Sequence, residues 1–271
     1  MKISIGKLKE VSMKKAIVAT LVAVLLASGL LVGCVGGVVI GSGKLETQEF
    51  NFSGFTRVEV GSAFEVEVVQ SDSYSVSITA DDNLFEYIQV SKAGETLRIR
   101  LRLGTIKPAT LRAEITMPDL YGLDLSGATH GTVQGFSSPH DFIVELSGAS
   151  SLDMVDMSAG DIKSDISGAN WVSGDIAAAD AEFDVSGAST LELQGSAAGD
   201  IVIEASGASR VELDNFPVNN ADVKLSGASR ATVNLNGRLD ADLSGASKLS
   251  YIGEPTMGTI NISGGSTLSK K

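Results

Sequence analysis

A Ser-Gly-Ala tripeptide that returns about every twenty residues constrains this chain more than any other feature. Successive copies lie 18 to 21 residues apart, and the last is Ser-Gly-Gly at Ser263. The others begin at Ser126, Ser147, Ser167, Ser186, Ser206, Ser226 and Ser244. A repeat of this length is typical of a solenoid, because one unit can bury its apolar side only by stacking on its neighbours.

Apolar and polar residues alternate around each tripeptide with a period of two. The residue before the Ser is always apolar: Leu125, Leu146, Ile166, Val185, Ala205, Leu225, Leu243 and Ile262. A second alternating run follows each tripeptide, and residues such as Gly195, Pro217 and Gly237 then turn the chain. This alternation predicts two strands per repeat, each with one face buried, joined by a glycine corner.

Stacking such units about 4.8 Å apart pairs every backbone edge and closes a continuous apolar interior. The sequence therefore predicts an all-β fold, a right-handed parallel β-helix with about 20 residues per coil. An antiparallel β-sandwich also has many short strands, but the nearly constant repeat length counts against it. We expect a single β-helix domain over residues 47–271, with irregular early coils and a cap in 47–120 and regular Ser-Gly-Ala coils in 121–271.

The N-terminal segment has the features of an export signal. Lys14 and Lys15 precede an uncharged apolar run, which predicts a signal peptide over residues 1–33. The sequence Leu31-Val32-Gly33-Cys34 resembles the bacterial lipobox, and this resemblance implies cleavage before Cys34, lipidation of its thiol and attachment to a membrane. Residues 34–46 would then be the lipidated Cys and a tether. An uncleaved transmembrane anchor is the alternative, since Ala16–Ile40 is long enough to span a bilayer. Either interpretation places the remaining chain outside the cytoplasm.

Charge and composition exclude several classes of function. The 33 acidic and 21 basic residues include one Glu and five Lys before Cys34, so the exported part carries a net charge of −16. That excess argues against binding nucleic acid. Cys34 is the only cysteine, and the only histidines are His130 and His140, so we predict neither a disulfide nor a zinc site. A Ser residue recurs at every corner, and this repetition indicates a role in corner geometry. A catalytic serine would need to occur only once. We expect no enzymatic activity.

Outward positions before the corners form a predicted ladder of carboxylates. It consists of Asp124, Glu145, Asp165, Asp184, Glu204 and Asp242, with Lys224 and Asn261 in equivalent positions. Stacked carboxylates repel one another, and Ca²⁺, the only cofactor that we consider, would relieve that repulsion. The alternative is a solvated acidic face, which we favour because dedicated Ca²⁺-binding turns are absent from the sequence.

Three further groups of residues have a structural and a functional interpretation. A second column of acidic or amide residues falls six positions before successive corner Ser residues and consists of Asp141, Asp161, Asp180, Asp200 and Asn220. Asx turns explain this column at least as well as ligand binding does. For Arg98, Arg100 and Arg102, cross-strand pairs with Glu59, Glu65 and Glu67 are favoured over an anion site. For Trp171, packing at a corner is favoured over stacking on a sugar.

The early strands and the corners together resemble a known bacterial family. The relevant segments are Phe55–Gly61, Phe64–Val68, Leu97-Arg98-Ile99, Ile115–Pro118 and the repeated Leu-Ser-Gly-Ala corners. They are similar to the putative auto-transporter adhesin head GIN domain, over nearly the whole chain from about residue 50. The resemblance implies a right-handed β-helix on an exported, often lipid-anchored protein, and it implies no ligand or active-site residue.

Three hypotheses for function follow from these features. The first is a lipid-anchored cell-surface adhesion module that binds an extracellular glycan or protein. The second is a structural lipoprotein that maintains the envelope as a rigid spacer. The third is a carbohydrate-active β-helix enzyme, which is disfavoured because the predicted connections are too short to wall a substrate groove.

Overall fold

The computed structural model describes residues 39–102, 109–197 and 199–271. Cys34 and the predicted signal peptide, residues 1–33, lie outside the described residues. In the part of the chain that the structure describes, no helix is both long enough and apolar enough to cross a membrane.

The described residues form two long sheets. In chain order the strands are β1 (Leu45–Glu49), β2 (Arg57–Val60), β3 (Glu65–Gln70), β4 (Ser75–Asp81), β5 (Ile88–Ala93), β6 (Thr96–Leu101), β7 (Leu111–Met117), β8 (Gly122–Leu125), β9 (His130–Gln134), β10 (Phe142–Leu146), β11 (Ser151–Ser158), β12 (Ile162–Ile166), β13 (Trp171–Ala178), β14 (Ala181–Val185), β15 (Thr190–Ala197), β16 (Ile201–Ala205), β17 (Arg210–Val218), β18 (Ala221–Leu225), β19 (Arg230–Leu235), β20 (Arg238–Leu243), β21 (Lys248–Ile252), β22 (Thr256–Ile262) and β23 (Thr267–Lys270). A short 3-10 helix, Asp82–Leu84, follows β4.

From β8 onward the strands alternate between the two sheets. The 12-stranded sheet has the order β1-β4-β7-β3-β9-β11-β13-β15-β17-β19-β21-β23, and the 11-stranded sheet has the order β22-β20-β18-β16-β14-β12-β10-β8-β2-β6-β5. Each regular strand pairs in parallel with the equivalent strand one coil away, as in the register of Asp165 with Asp184. The predicted parallel β-helix is confirmed.

The corners between the two sheets stack through their glycines. Gly127, Gly148, Gly168, Gly187, Gly207, Gly227, Gly245 and Gly264 all have positive φ. At six of these corners the Ala after the glycine donates its N–H to the glycine carbonyl of the preceding coil, at 2.7 Å from Ala228 N to Gly207 O. At the first corner Ala128 donates to Ser62 O, and at the last Gly265 donates to Gly245 O. A Cβ at Gly227 would lie 2.5 Å from Gly207 O. Both the left-handed backbone and this close approach require glycine.

The interior is filled by the apolar residues that the alternation predicts to face inward. Leu125, Leu146 and Leu243 are each at most 1% exposed, and large side chains such as Phe183 and Phe216 are also buried. Ile262 differs, because it is 47% exposed on β22, the last strand of its sheet. The apolar interior therefore runs through the regular coils and ends in a partly exposed layer.

The N-terminal coil does not follow chain order in space. Strands β2 and β3 are joined by a corner in which Ser62, with a φ of 88°, occupies the place that glycine occupies elsewhere. This coil lies between β6–β7 on one side and β8–β9 on the other, with parallel pairing to both. The sequence did not reveal this corner, because it reads Gly-Ser-Ala where the later ones read Ser-Gly-Ala.

Antiparallel strands close the N-terminal end of the solenoid. Strand β4 pairs with β7, β1 pairs with β4, and β5 pairs with β6, all in antiparallel register. Two residues of the predicted tether are held against this cap. Ser42 Oγ donates to Asp82 Oδ1 at 2.6 Å, and the Gly43 N–H donates to Asp81 Oδ1 at 2.7 Å. The structured part of the chain thus extends N-terminal to β1.

Replacing a corner glycine should destabilise the solenoid through close contact as well as backbone strain. We expect Gly227→Ala to lower the free energy of unfolding by at least about 3 kcal/mol, measured by chemical denaturation. Gly135→Ala is the matched control. Gly135 also has a positive φ, 80°, but a Cβ added there would have no other atom within 4 Å. It should lose only about 1–2 kcal/mol. Equal losses in the two variants would show that the close approach of successive corners does not matter.

Candidate binding surface

The carboxylates of the predicted ladder do form one outward column on the 11-stranded sheet. Register pairs join Asp124 to Glu145, Glu145 to Asp165, Asp165 to Asp184, and Asp184 to Glu204. Lys224 follows in the column and its Nζ lies 2.7 Å from Glu204 Oε1, and Asp242 is the next rung. The ladder is therefore a line of charges along the rod and does not converge on one point.

The environment of two ladder residues favours their protonated form. Burial, followed by the charges of Glu145 and Glu59, raises the pKa of Asp124 above its ordinary value. Burial, followed by Asp165 and Glu204, likewise raises the pKa of Asp184. Within residues 39–102, 109–197 and 199–271, no group of three or more His, Cys, Asp or Glu side chains is arranged to hold a metal ion. The solvated acidic face stays the favoured prediction, and binding of Ca²⁺ to the ladder stays the alternative hypothesis.

The second column of acidic residues makes hydrogen bonds between coils. Asp161 N donates to Asp141 Oδ1 at 3.1 Å, and Asp200 N donates to Asp180 Oδ1 at 2.7 Å. At the end of the column Arg238 N donates to the Asn220 side-chain oxygen at 2.7 Å. Asp161 likewise accepts from the Asp180 N–H, whereas Asp200 accepts from the side-chain amide of Asn220. These hydrogen bonds connect successive coils.

The other residues that the sequence analysis singled out are dispersed over the surface. Arg98 pairs with Glu59 at 2.5 Å, as predicted, but Glu65 pairs with Arg112. His130 contacts Ser151, whereas the His140 ring lies 4.6 Å from that of Tyr121, so the two histidines belong to different contacts. These residues do not form a common site.

The prediction for Trp171 was wrong. Its side chain is 50% exposed and starts β13 on the outward face of the 12-stranded sheet. The sequence placed it just past a corner, where packing was favoured, but the register aligns it with the outward residues Ser151 and Thr190 of the neighbouring coils.

The corners contain a buried polar column that the sequence analysis did not identify. It consists of the fourth residue of each corner motif, including Thr129, Ser150, Asn170, Ser189, Ser209, Ser229 and Ser247. The Ser229 hydroxyl donates to the Ser226 carbonyl at 2.8 Å, and Ser247 donates equivalently to Ser244 at 2.7 Å. The invariable Ser, Thr or Asn three residues after the first Ser was the available signal. These buried side chains are hydrogen-bonded to corner carbonyls, so their role is structural.

The 12-stranded sheet has an open, acidic groove of about 430 Å³ across β11, β13, β15 and β17. It lies where the register between these strands shifts, beside Asp156, whose φ is 52°. Its polar lining includes Asp153, Ser173, Asp175, Glu192, Gln194, Glu212, Asp214 and Asn215. Because bulges bend the strands and re-aim their side chains, the groove was not visible in the repeat pattern.

Residues 54–255 match the family described as putative auto-transporter adhesin, head GIN domain. The chain belongs to this family. A comparison with curated protein sequences finds no similar protein. The GIN domain seen here is similar in fold to solved structures that are described as putative adhesins or as a putative lipid binding protein.

Three solved structures illustrate the similarity of the GIN domain. A putative lipid binding protein from Parabacteroides distasonis ATCC 8503 has a TM-score of 0.79 at 17% identity, with 87% of this chain and 100% of that chain covered. A putative adhesin from the same organism has a TM-score of 0.78 at 19% identity, with 87% and 100% covered. A putative adhesin from Parabacteroides merdae ATCC 43184 has a TM-score of 0.79 at 15% identity, with 86% and 99% covered. At these identities the likeness concerns the fold.

Neutralising one rung of the acidic ladder should stabilise the protein at neutral pH. The raised pKa of Asp184 means that its contribution to stability is complete below its ordinary pKa of 3.8 and is lost as the pH rises through the folded-state value. We therefore expect Asp184→Asn to raise the free energy of unfolding by about 1 kcal/mol at pH 7 and by nearly nothing at pH 3.

The measurement is thermal denaturation at the two pH values. Asp72→Asn, in the exposed loop between β3 and β4, makes the same change in charge away from the ladder and should alter stability little at either pH. A gain that is the same at pH 7 and pH 3 would contradict repulsion within the ladder.

Proposed function

We propose that this chain is a lipid-anchored binding module on the bacterial cell surface and that it acts without catalysing a reaction. Membership of a family described as an adhesin head supports the binding role. The lipobox-like sequence that ends at Cys34 supports the anchor. An acylated cysteine adds about 0.8 kcal/mol per buried CH₂, and two or more chains hold a protein firmly to a bilayer.

The observation that carries this proposal is the separation of structural from outward residues in the coils. Glycine corners, inward apolar residues and buried hydroxyls define the backbone, whereas every second strand residue faces solvent. The outward residues of the 12-stranded sheet form straight columns beside an open groove. A surface of this kind presents many side chains in fixed positions, as a binding module requires.

Lipidation at Cys34 should attach the wild-type protein to the membrane. We expect the full-length wild-type chain, expressed in a bacterial host, to incorporate labelled palmitate and to fractionate with membranes. Cys34→Ala should lose the label and keep its N-terminal segment, because cleavage at a lipobox follows lipidation. If the wild-type chain takes up no label but still fractionates with membranes, the N-terminal segment is a transmembrane anchor and the lipoprotein proposal is wrong.

Display of the chain should give cells a specific adhesive property. We expect cells that carry the full-length chain to bind at least one glycan or extracellular protein on an array, saturably and above cells without it. The Cys34→Ala strain is the matched control, because it makes the same solenoid without the proposed lipid. Blank arrays combined with envelope leakage in a deletion strain would instead support the rigid-spacer hypothesis.

A further inference from the structure

One outward column of the 12-stranded sheet is basic, although the exported part of the chain is strongly acidic. Arg210 of β17, Arg230 of β19 and Lys248 of β21 are register partners on three successive coils. Adjacent strands lie about 4.8 Å apart, so the three side chains form a straight row along the rod. We call these three residues the basic column.

The basic column is poorly neutralised by the protein itself. Arg210 Nε lies 3.8 Å from Glu212 Oε1, at the edge of ion-pair distance. Among the described residues, neither Arg230 nor Lys248 has a carboxylate oxygen within 4.0 Å, and both side chains are exposed. Stacked like charges disfavour one another in a sheet. An anion placed along the row would relieve this repulsion.

Hydroxyl groups border the basic column on the side of the next outward column. Register partners there are Thr232, Ser250 and Ser269, and with Lys270 and Lys271 they line a groove of about 330 Å³. Glu212, the register partner of Thr232, also lines this groove, and the nearest cation of the column to it is Arg210. Lys270 and Lys271 contact Glu254 and Asp214, so Arg230 and Lys248 are the two cations of the groove without an ion-pair partner among the described residues. Cations beside hydroxyl donors suit carboxylate or sulfate oxygens.

An exposed aromatic side chain continues the same line. Trp171 is joined in register to Thr190, and Thr190 to Arg210, so Trp171 lies two coils before the basic column. The distance from Trp171 to Lys248 along the rod is about 19 Å, or four strand spacings. A half-exposed indole offers a flat apolar face with a polar edge. An aromatic face and three cations in one line match a polymer that has both sugar rings and anionic groups.

The surroundings of the column favour a single chain over a flat anionic surface. Glu192 and Glu212 belong to the neighbouring outward column, and the acidic groove adjoins them. A membrane pressed against this face would meet these carboxylates as well as the cations. A thin polymer that lies along the column meets the cations and avoids most of the acids.

We infer that Trp171, Arg210, Arg230 and Lys248 form a binding line for an anionic polysaccharide, a polymer bearing uronate or sulfate groups, which lies parallel to the rod. This inference rests on the proposed binding function and names the chemical class of its ligand. Charge supplies the attraction at the basic column, and stacking on Trp171 orients a sugar ring.

The test measures binding of the full-length chain in mild detergent to polygalacturonate, with neutral dextran as the reference polymer. We expect Arg230→Glu with Lys248→Glu to weaken polygalacturonate binding by about tenfold or more at moderate salt. Trp171→Ala should weaken binding by about threefold without changing its salt dependence, since stacking releases no counterions. Lys92→Glu with Arg100→Glu is the matched control, because it makes the same change in net charge at exposed positions of the other sheet. It should have little effect.

Several outcomes would overturn the inference. In the first, the wild-type chain does not bind polygalacturonate. In the second, the control variant with Lys92→Glu and Arg100→Glu weakens binding as much as the column pair, the variant with Arg230→Glu and Lys248→Glu. In the third, the column pair binds polygalacturonate as well as the wild type does. Flotation with phosphatidylglycerol and with neutral phosphatidylcholine vesicles tests the other source of anionic groups. If the column pair abolishes only the preference for anionic vesicles, the column is a membrane contact. If one of these outcomes overturns the inference but cells that display the Arg230→Glu, Lys248→Glu variant still bind their array ligand, the adhesion proposal stands while this inference fails.

Discussion

The stacking of one glycine on the next at the corners is the constraint on which the rest of the structure depends. The positive φ of these residues turns the chain from one sheet to the other within four residues. Because no Cβ is present, the carbonyl of one corner comes close enough to accept the N–H of the Ala in the next. The spacing of the corners then equals the spacing of hydrogen-bonded strands, so both sheets can pair in parallel over the length of the solenoid.

Two side-chain columns reinforce this arrangement from opposite sides of the coil. The buried Ser, Thr and Asn column satisfies corner carbonyls inside, and the Asp141 to Asn220 column receives amides of the following coil outside. The charged residues of the acidic ladder and of the basic column do not satisfy backbone groups in this way. The fold therefore tolerates a row of repelling carboxylates on one sheet and a row of cations on the other.

The regular coils could be predicted from the sequence because each structural role recurs at the same place in every repeat. The inward residues, the corners and the acidic ladder all followed from a period of two within a period of about twenty. The exceptions occur where the period is interrupted. The corner at Ser62 inverts the motif, and the acidic groove depends on bulges that move side chains out of register.

The surface features were harder to predict than the fold. Trp171 could not be placed without the exact register, since a shift of one residue reverses the face that a side chain occupies. The basic column escaped notice because Arg210, Arg230 and Lys248 are 20 and 18 residues apart in the chain and become neighbours only when coils stack. Cys34 is recognisable only by its sequence context, and the described part of the structure does not include it.

The position of the β2–β3 coil gives the two ends of the solenoid different folding problems. Arg57 pairs with Thr96 and Gly122, which are 39 and 65 residues later, whereas regular strands pair over about one repeat. Closing the longer spans costs more chain entropy and slows assembly. A chain that emerges N-terminus first during export therefore carries its earliest strands unpaired until the segment around β6 to β8 has followed. The later coils can add one at a time, each on a template already formed.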